Sequence, residues 1–264
     1  MEKDNKKYRC MLLVAAMSLV LSLSGCQNEE NITEISDQTE KTEQESELQQ
    51  VQEPIEELPE HALVHLYAGL DDEHYTVGSG FIMETTEHKI YICTNRHVIQ
   101  DYDVWEVYFW DGSKVTGTKV GISELYDVGV VEINKVEVPD NIREHIAPVT
   151  IQLDEWKKLD NEQPEVWTMK IDNMGLTGEL VEGKLISPLA VFRWGNGYPQ
   201  TELDMELAAG DSGSAIFDQN GSLVSMVYGT SHEEGKPKRW GIPLDAIVAC
   251  YKEILLNNSK WNIE

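Results

Sequence analysis

The chain has 264 residues and a formal net charge of −26, set by 47 acidic against 21 basic side chains. So large an acidic excess excludes nucleic acid as a partner and argues against recruitment to anionic lipid through the protein's own surface. Of its four cysteines, Cys10 and Cys26 fall near the N-terminus. Cys93 and Cys250 alone cannot build a disulfide framework, so a large hydrophobic core has to carry the fold.

Lys3, Lys6, Lys7 and Arg9 make a positive n-region, and the apolar run 11–23 is shorter than the ~20 residues a membrane-spanning helix needs. Residues 1–25 therefore read as a signal peptide. They lead into Leu23-Ser24-Gly25-Cys26, which resembles the bacterial lipobox. On that reading Cys26 is acylated on its sulfur, becomes the new N-terminus and anchors the chain to the outer face of the cell membrane. Ordinary secretory cleavage, with Cys26 incidental, is the alternative, and both readings place the chain outside the cytoplasm. From 27 to 60 there are twelve acids against the single Lys41, and no aromatic residue. Such a segment cannot bury enough apolar surface to offset its ordering entropy. Residues 26–60 are thus expected to be a disordered tether, reaching roughly 30 Å or more because like charges extend a flexible chain. A merely solubilising leader predicts the same composition.

Residues 61–264 are expected to be the folded domain. Period-two runs punctuated by Gly, Asn and Asp predict strands over 63–67, 76–83, 90–94, 104–110, 114–122 and 128–133, the spacing of a small barrel. A second set is predicted over 165–171, 178–186, 190–194, 214–217 and 223–228, with a tight hairpin turn at Asn220-Gly221. Residues 244–256, behind Pro243, hold a helical period. The expected class is all-β: two six-stranded antiparallel β-barrels with a C-terminal helix. Whether Cys93 and Cys250 pair is left open, two buried thiols being the commoner outcome.

Three segments carry chemistry. In Ala208-Ala209-Gly210-Asp211-Ser212-Gly213-Ser214-Ala215 the glycines allow a bend that exposes the Ser212 hydroxyl. The same bend turns the amides of Gly210 and Ser212 toward one pocket, where they could stabilise an oxyanion. A plain Gly/Asp/Ser turn is the competing reading. In Tyr91-Ile92-Cys93-Thr94-Asn95-Arg96-His97-Val98-Ile99 an apolar strand ends in a polar step and a histidine, whose imidazole has the intrinsic pKa of a general base. Its competitor is a structural histidine, although the other six histidines share no such context. Asp127-Val128-Gly129-Val130-Val131-Glu132-Ile133 puts an aspartate at the head of a buried-looking strand, where it could hold an imidazole tautomer. Taken alone, Asp127 is better explained as a turn residue that initiates the strand.

Together these segments resemble the trypsin-like serine peptidases, and most closely the HtrA/DegP-type protease domain, over nearly all of residues 63–256. Gly78-Ser79-Gly80-Phe81-Ile82 is similar to the family's Gly-Ser-Gly strand, and residues 94–99 to its histidine motif. Residues 127–130 are similar to its aspartate motif, and Met174-Gly175-Leu176-Thr177-Gly178 through 183–187 to its glycine-rich hairpin. Residues 204–212 resemble the run that leads to the nucleophile, and Gly241-Ile242-Pro243-Leu244 the entry to the last helix. The resemblance implies a serine endopeptidase with His97 as general base and then acid, Asp127 as its orienter and Ser212 as the nucleophile that forms an acyl-enzyme. It implies protein or peptide substrates and no cofactor or metal. It also implies that an extended substrate adds to the strand over 223–228, which makes Ser225, Met226, Val227 and Tyr228 candidate substrate-binding residues.

The sequence departs from the family at three places. Ser214 stands where many relatives have a second glycine, and no Gly-Asn-Pro run is visible around 170–173. The chain stops at Glu264, so control by a following peptide-binding PDZ domain is not expected. Glu206, six residues before Ser212, could be the acidic floor of a pocket for basic side chains. It could equally face solvent beside a mostly apolar pocket, the slightly favoured reading. Two other functions compete with the peptidase: a non-catalytic protein-binding module that keeps only the groove, and a lipoprotein whose acidic leader is the active part.

Overall fold

The computed structural model describes residues 59–69, 74–159, 162–171, 177–191, 197–233 and 235–261. The signal segment, Cys26 and the tether as far as residue 58 lie outside them. All the described residues belong to the unit Glu53–Glu264.

Strands β1 (Leu63–Gly69), β2 (Tyr75–Thr85), β3 (Lys89–Thr94), β4 (Val104–Tyr108), β5 (Lys114–Ile122) and β6 (Gly129–Asn134) close a barrel in the order β1-β2-β3-β6-β5-β4. Every pairing in it is antiparallel. Its interior is filled by alternate side chains, among them Leu66, Ile82, Ile90, Ile92, Trp105 and Val107, all essentially inaccessible to solvent. Strand β3 serves two cores at once. Ile90 and Ile92 face the barrel interior, while the intervening Tyr91 and Cys93 pack with the second hydrophobic cluster.

The second half holds β7 (Thr150–Ile151), β8 (Glu165–Ile171), β9 (Thr177–Ala190), β10 (Gln200–Asp204), β11 (Ala215–Asp218), β12 (Ser222–Glu233) and β13 (Lys236–Pro243). The order β11-β8-β9-β10-β13-β12, with β12 also bonded to β11, closes a second six-stranded antiparallel barrel. The short β7 adds to β12 in parallel. The terminal helix Leu244–Trp261 packs on β5, β6, β12 and β13 and so fastens both barrels. It is tied by Tyr251, whose hydroxyl donates to Glu84 Oε2 at 2.6 Å, and by Ser123, whose hydroxyl donates to Cys250 Sγ at 3.2 Å. No helix among the described residues is long and apolar enough to cross a membrane.

The expected class, two six-stranded antiparallel barrels and a C-terminal helix, is the class observed. Its second half differs in detail from the sequence pattern. The run expected over 190–194 is not a strand of its own where described: Ala190 is the last residue of β9, Val191 is 83% exposed, and 192–194 lie outside the described residues. The barrel closes instead through β10 and β13, which the pattern did not indicate. Pro237 and Pro243 obscure β13, yet each sits near an end of the strand, opposite His232 and Ser225 respectively, where the lost N–H matters least. The Asn220-Gly221 turn forms as expected, with Gly221 at φ +75° and the Asp218 carboxylate accepting the amides of Asn220 and Ser222. Cys93 and Cys250 are both buried free thiols.

Candidate active site

Histidine 97 lies on the helical turn Arg96–Ile99 that follows β3, and Asp127 lies just before β6, the strand paired with β3. That pairing fixes the two ends side by side. The Asp127 carboxylate then takes two bonds from one residue: the backbone amide of His97 donates to Oδ1 at 2.9 Å, and His97 Nδ1 lies 2.5 Å from Oδ2. Asn95 donates to the Asp127 carbonyl at 3.0 Å, so the backbone of the aspartate is held as well. The Asp127 side chain is 8% exposed and that of His97 45%, so a dry carboxylate sits behind an accessible imidazole. Arg96 lies over the same carboxylate, its Nε 3.9 Å from Oδ1, and donates through Nη1 to the Ser123 carbonyl.

Ser212 follows β10 on the loop that enters β11, and strand β2 of the first barrel holds it from behind. The Ser79 amide donates to the Ser212 carbonyl at 2.8 Å, and the Ser79 hydroxyl to the Gly210 carbonyl at 3.2 Å. Thr94, three residues before His97, donates through Oγ1 to the Ser79 carbonyl at 2.7 Å. Two glycines make this interlock possible. A Cβ on Gly78 would lie 2.7 and 2.8 Å from the two Val98 methyls and 3.3 Å from the Ser212 carbonyl oxygen. Gly78 is therefore where the histidine segment and the serine segment meet the same strand. Gly213 has φ +88°, and a Cβ there would lie 2.0 Å from the Ser79 carbonyl oxygen.

The loop itself is closed by Asp211, whose Oδ2 accepts the Ala208 amide at 2.7 Å while its own amide donates to the Ala208 carbonyl at 3.2 Å. Burial pushes the Asp211 carboxyl above the usual carboxylate range, opposed by the Ala208 amide and by Lys170. Among the described residues neither the Gly210 nor the Ser212 amide has a protein acceptor. Nor are the Ser212 hydroxyl and the His97 ring hydrogen-bonded to each other here; such contacts often tighten only when substrate is bound.

A cleft of about 360 Å³ opens at His97, lined also by Arg96, Asp127, Tyr228 and Trp240 and by residues 229–230. Tyr228 sets its ring edge-to-face with His97 at 6.4 Å between centroids. Burial, then the Asp127 charge, push its phenol up, with Arg96 opposing. The other residues considered for substrate binding sit elsewhere. Ser225, Met226 and Val227 are buried. Ser225 and Met226 are paired on both sides, with β11 and β13, and Val227 pairs Gly241 while exchanging backbone bonds with Gly213 and Ser214. They cannot also add a substrate strand. Past Val227, Gly229 and Thr230 of β12 pair with β13 alone among the described residues. Continuing the period-two reading of β12 past Tyr228 would have found them. Glu206 is exposed and lines a different, larger cavity of about 680 Å³ with Trp167, Glu182 and Arg239, which His97 does not line. Cys26 lies outside the described residues.

No group of three or more His, Cys, Asp or Glu placed to hold a metal occurs among the described residues. The arrangement offers an imidazole bonded to a buried carboxylate, an accessible serine loop whose Gly210 and Ser212 amides have no acceptor among the described residues, and a strand edge at 229–230 that pairs on one side among them, the parts that acyl transfer on an extended peptide requires. Comparison with known proteins points the same way. Residues 78–226, more than half of the chain, match the family described as Trypsin-like peptidase domain. The serine protease Do-like HtrA of Lactobacillus helveticus is 25% identical over 156 residues, 58% of this chain and 36% of that protein. A probable periplasmic serine protease do/HhoA-like from Haemophilus influenzae is 29% identical over 57% of this chain and 30% of its own length. The periplasmic serine endoprotease DegP of Salmonella typhimurium is 27% identical over 60% of this chain and 31% of its own. The chain thus spans about a third of the length of the curated relatives it matches.

Proposed function

Since the chain belongs to the trypsin-like peptidase domain family, we propose that it is a serine endopeptidase acting on extended or unfolded protein segments. Ser212 Oγ attacks the peptide carbonyl carbon as His97 Nε2 takes its proton. The oxyanion that develops is met by the Gly210 and Ser212 amides. Collapse breaks the C–N bond, and His97 returns the proton to the departing amine, leaving an acyl-enzyme. Water then attacks the ester with His97 again as base, and the acid product leaves as Ser212 regains its proton. Asp127 holds Nδ1 protonated so that Nε2 is the basic nitrogen, and it stabilises the imidazolium that forms. A positioned base of this kind contributes roughly 10² to 10⁴ in rate, and one oxyanion donor a further 10² to 10³.

The observation that carries the reading is the pair of hydrogen bonds by which the buried Asp127 carboxylate accepts from both the backbone amide and the ring of His97. A purely structural histidine has no need of a carboxylate that fixes its tautomer while 45% of its side chain faces solvent. Substrate pairing is proposed at Gly229 and Thr230, which pair with β13 alone among the described residues, next to Tyr228 in the His97 cleft. The test is turnover of casein by Ser212→Ala, together with fluorophosphonate labelling. Wild type should turn over and label, and the variant should do neither at an unchanged melting temperature. Equal cleavage by the two proteins would refute the assignment.

The proposal extends to location. The relatives from Haemophilus influenzae and Salmonella typhimurium are named periplasmic, and residues 1–26 of this chain carry a signal-like run and a lipobox-like end. These features support a reading in which the enzyme lies outside the cytoplasm, held by lipid on Cys26 through the acidic tether. Incorporation of labelled palmitate, lost in Cys26→Ala, tests this; equal labelling of the two chains would overturn it.

A further inference from the structure

The ring of bonds that closes the Ser212 loop depends on a carboxylate in an unfavourable place. Asp211 is 8% exposed, yet it is the acceptor for the Ala208 amide, and its carbonyl accepts the Ser214 amide at 3.0 Å. Residues 208, 211 and 214 are thereby tied through one side chain and its own backbone, with Gly210 and Ser212 between the ties. An isolated ionised carboxylate at such burial is costly unless a countercharge answers it. Among the described residues that countercharge comes from another strand: Lys170, near the end of β8, places Nζ 4.0 Å from Asp211 Oδ2. The remaining influences on the carboxyl are desolvation, which opposes its charge, and the Ala208 amide, which favours it. No other charged group among the described residues bears on it. Lys170 has no other salt-bridge partner among them, and its side chain is 29% exposed, sheltered enough for its charge to be felt.

We infer that Lys170 is a positioning residue for the hydrolytic site: its ammonium compensates the buried Asp211 carboxylate, and that carboxylate closes the loop presenting the Gly210 and Ser212 amides. The inference rests on the peptidase reading above. The carboxylate, once charged, is the stronger acceptor for the Ala208 amide, so loop closure weakens when it is protonated. The direction with pH follows. Without Lys170 the carboxyl, already raised by burial, rises further, and the loop loosens at a higher pH than in wild type. The acid limb of kcat therefore moves upward. KM changes little, because the substrate edge on β12 is untouched.

The test measures kcat and KM on a fluorogenic protein substrate from pH 5 to 9, with melting temperatures, for the full secreted chain. Lys170→Met should lower kcat by up to about tenfold at the acid end of the range, where the carboxyl takes up its proton, and progressively less toward pH 9. Its acid limb should rise by about one pH unit, the usual effect of removing an opposite charge at this distance. Lys170→Arg should restore most of the rate. Asp211→Asn removes the charge but keeps an oxygen for the Ala208 amide, so adding Lys170→Met to it should change kcat by less than twofold. Wild-type kcat and acid limb in Lys170→Met overturn the inference, as does an equal loss in the Asp211→Asn background. If Lys170→Met does not fold, rescue of folding and turnover by Asp211→Asn supports the pair, and failure of that rescue overturns it. Ser212→Ala separates the two levels. Turnover in that variant sinks the peptidase reading itself, whereas a dead Ser212→Ala beside an unaffected Lys170→Met sinks only the role of Lys170.

Discussion

Replacing Asp127 by asparagine turns the geometry of one side chain into a measurable loss of rate. In the native chain Oδ1 accepts the His97 amide at 2.9 Å and Oδ2 accepts Nδ1–H at 2.5 Å. An asparagine of the same shape has one acceptor and one donor end. The backbone N–H can only donate, so the amide oxygen must stay with it, and the NH₂ group is forced to face Nδ1. Nδ1 must then become the acceptor, which moves the ring proton to Nε2 and leaves Ser212 without a base. A wrong tautomer in such a site costs about 10⁴ in kcat, or roughly 5 kcal/mol of transition-state stabilisation. The fold loses much less: one charge-assisted bond is weakened, worth ~1 to 2 kcal/mol, or a few degrees of melting temperature in a domain of this size. The assay is kcat/KM on fluorogenic casein beside thermal unfolding by circular dichroism. A loss of less than tenfold in Asp127→Asn, with the fold intact, would refute the assigned role of Asp127.

Other substitutions probe the frame around the site. Gly213→Ala puts a methyl 2.0 Å from the Ser79 carbonyl at a backbone φ of +88°, so a loss of ~3 kcal/mol or more and a melting temperature lower by many degrees are expected. A Gly213→Ala chain as stable as wild type would show that the Ser79 contact is dispensable. Tyr251→Phe removes the bond to Glu84 and should destabilise by ~1 to 2 kcal/mol in urea unfolding. Burial, followed by Glu84, pushes the Tyr251 phenol up, so its contribution is complete below the unfolded phenol value of ~10 and is lost as pH rises through the higher folded value. The difference between Tyr251→Phe and wild type should thus be constant from pH 7 to 9. Glu206→Gln should leave the cleavage-site profile on a denatured proteome within about twofold, since Glu206 lines a cavity apart from His97. Loss of a preference for basic residues would return it to the specificity pocket.

The sequence determined more about segments than about their meeting. Local pattern located the whole first barrel, because each of its strands is a short apolar-rich run between recognisable turns. It located the terminal helix as well, through a period that the chain carries within itself. The segments bearing His97 and Ser212 were legible because each combines a special residue with the backbone features its position needs, whereas Asp127, alone a strand-initiating turn residue, took its role from the resemblance and the order of the segments. Strands β10 and β13 were not legible: one is five residues long and the other carries two prolines, and both are strands because of partners far along the chain. Tertiary pairing also placed Ser225, Met226 and Val227 between backbone partners on both sides, which period two could not show. Period two says which side a residue faces but not whether a neighbouring strand already occupies the backbone edge. The same holds for the countercharge on Asp211. Lys170 lies 41 positions earlier in the chain, and nothing in its neighbourhood marks it, because an ion pair is a property of the closed barrel and of the burial that closure imposes.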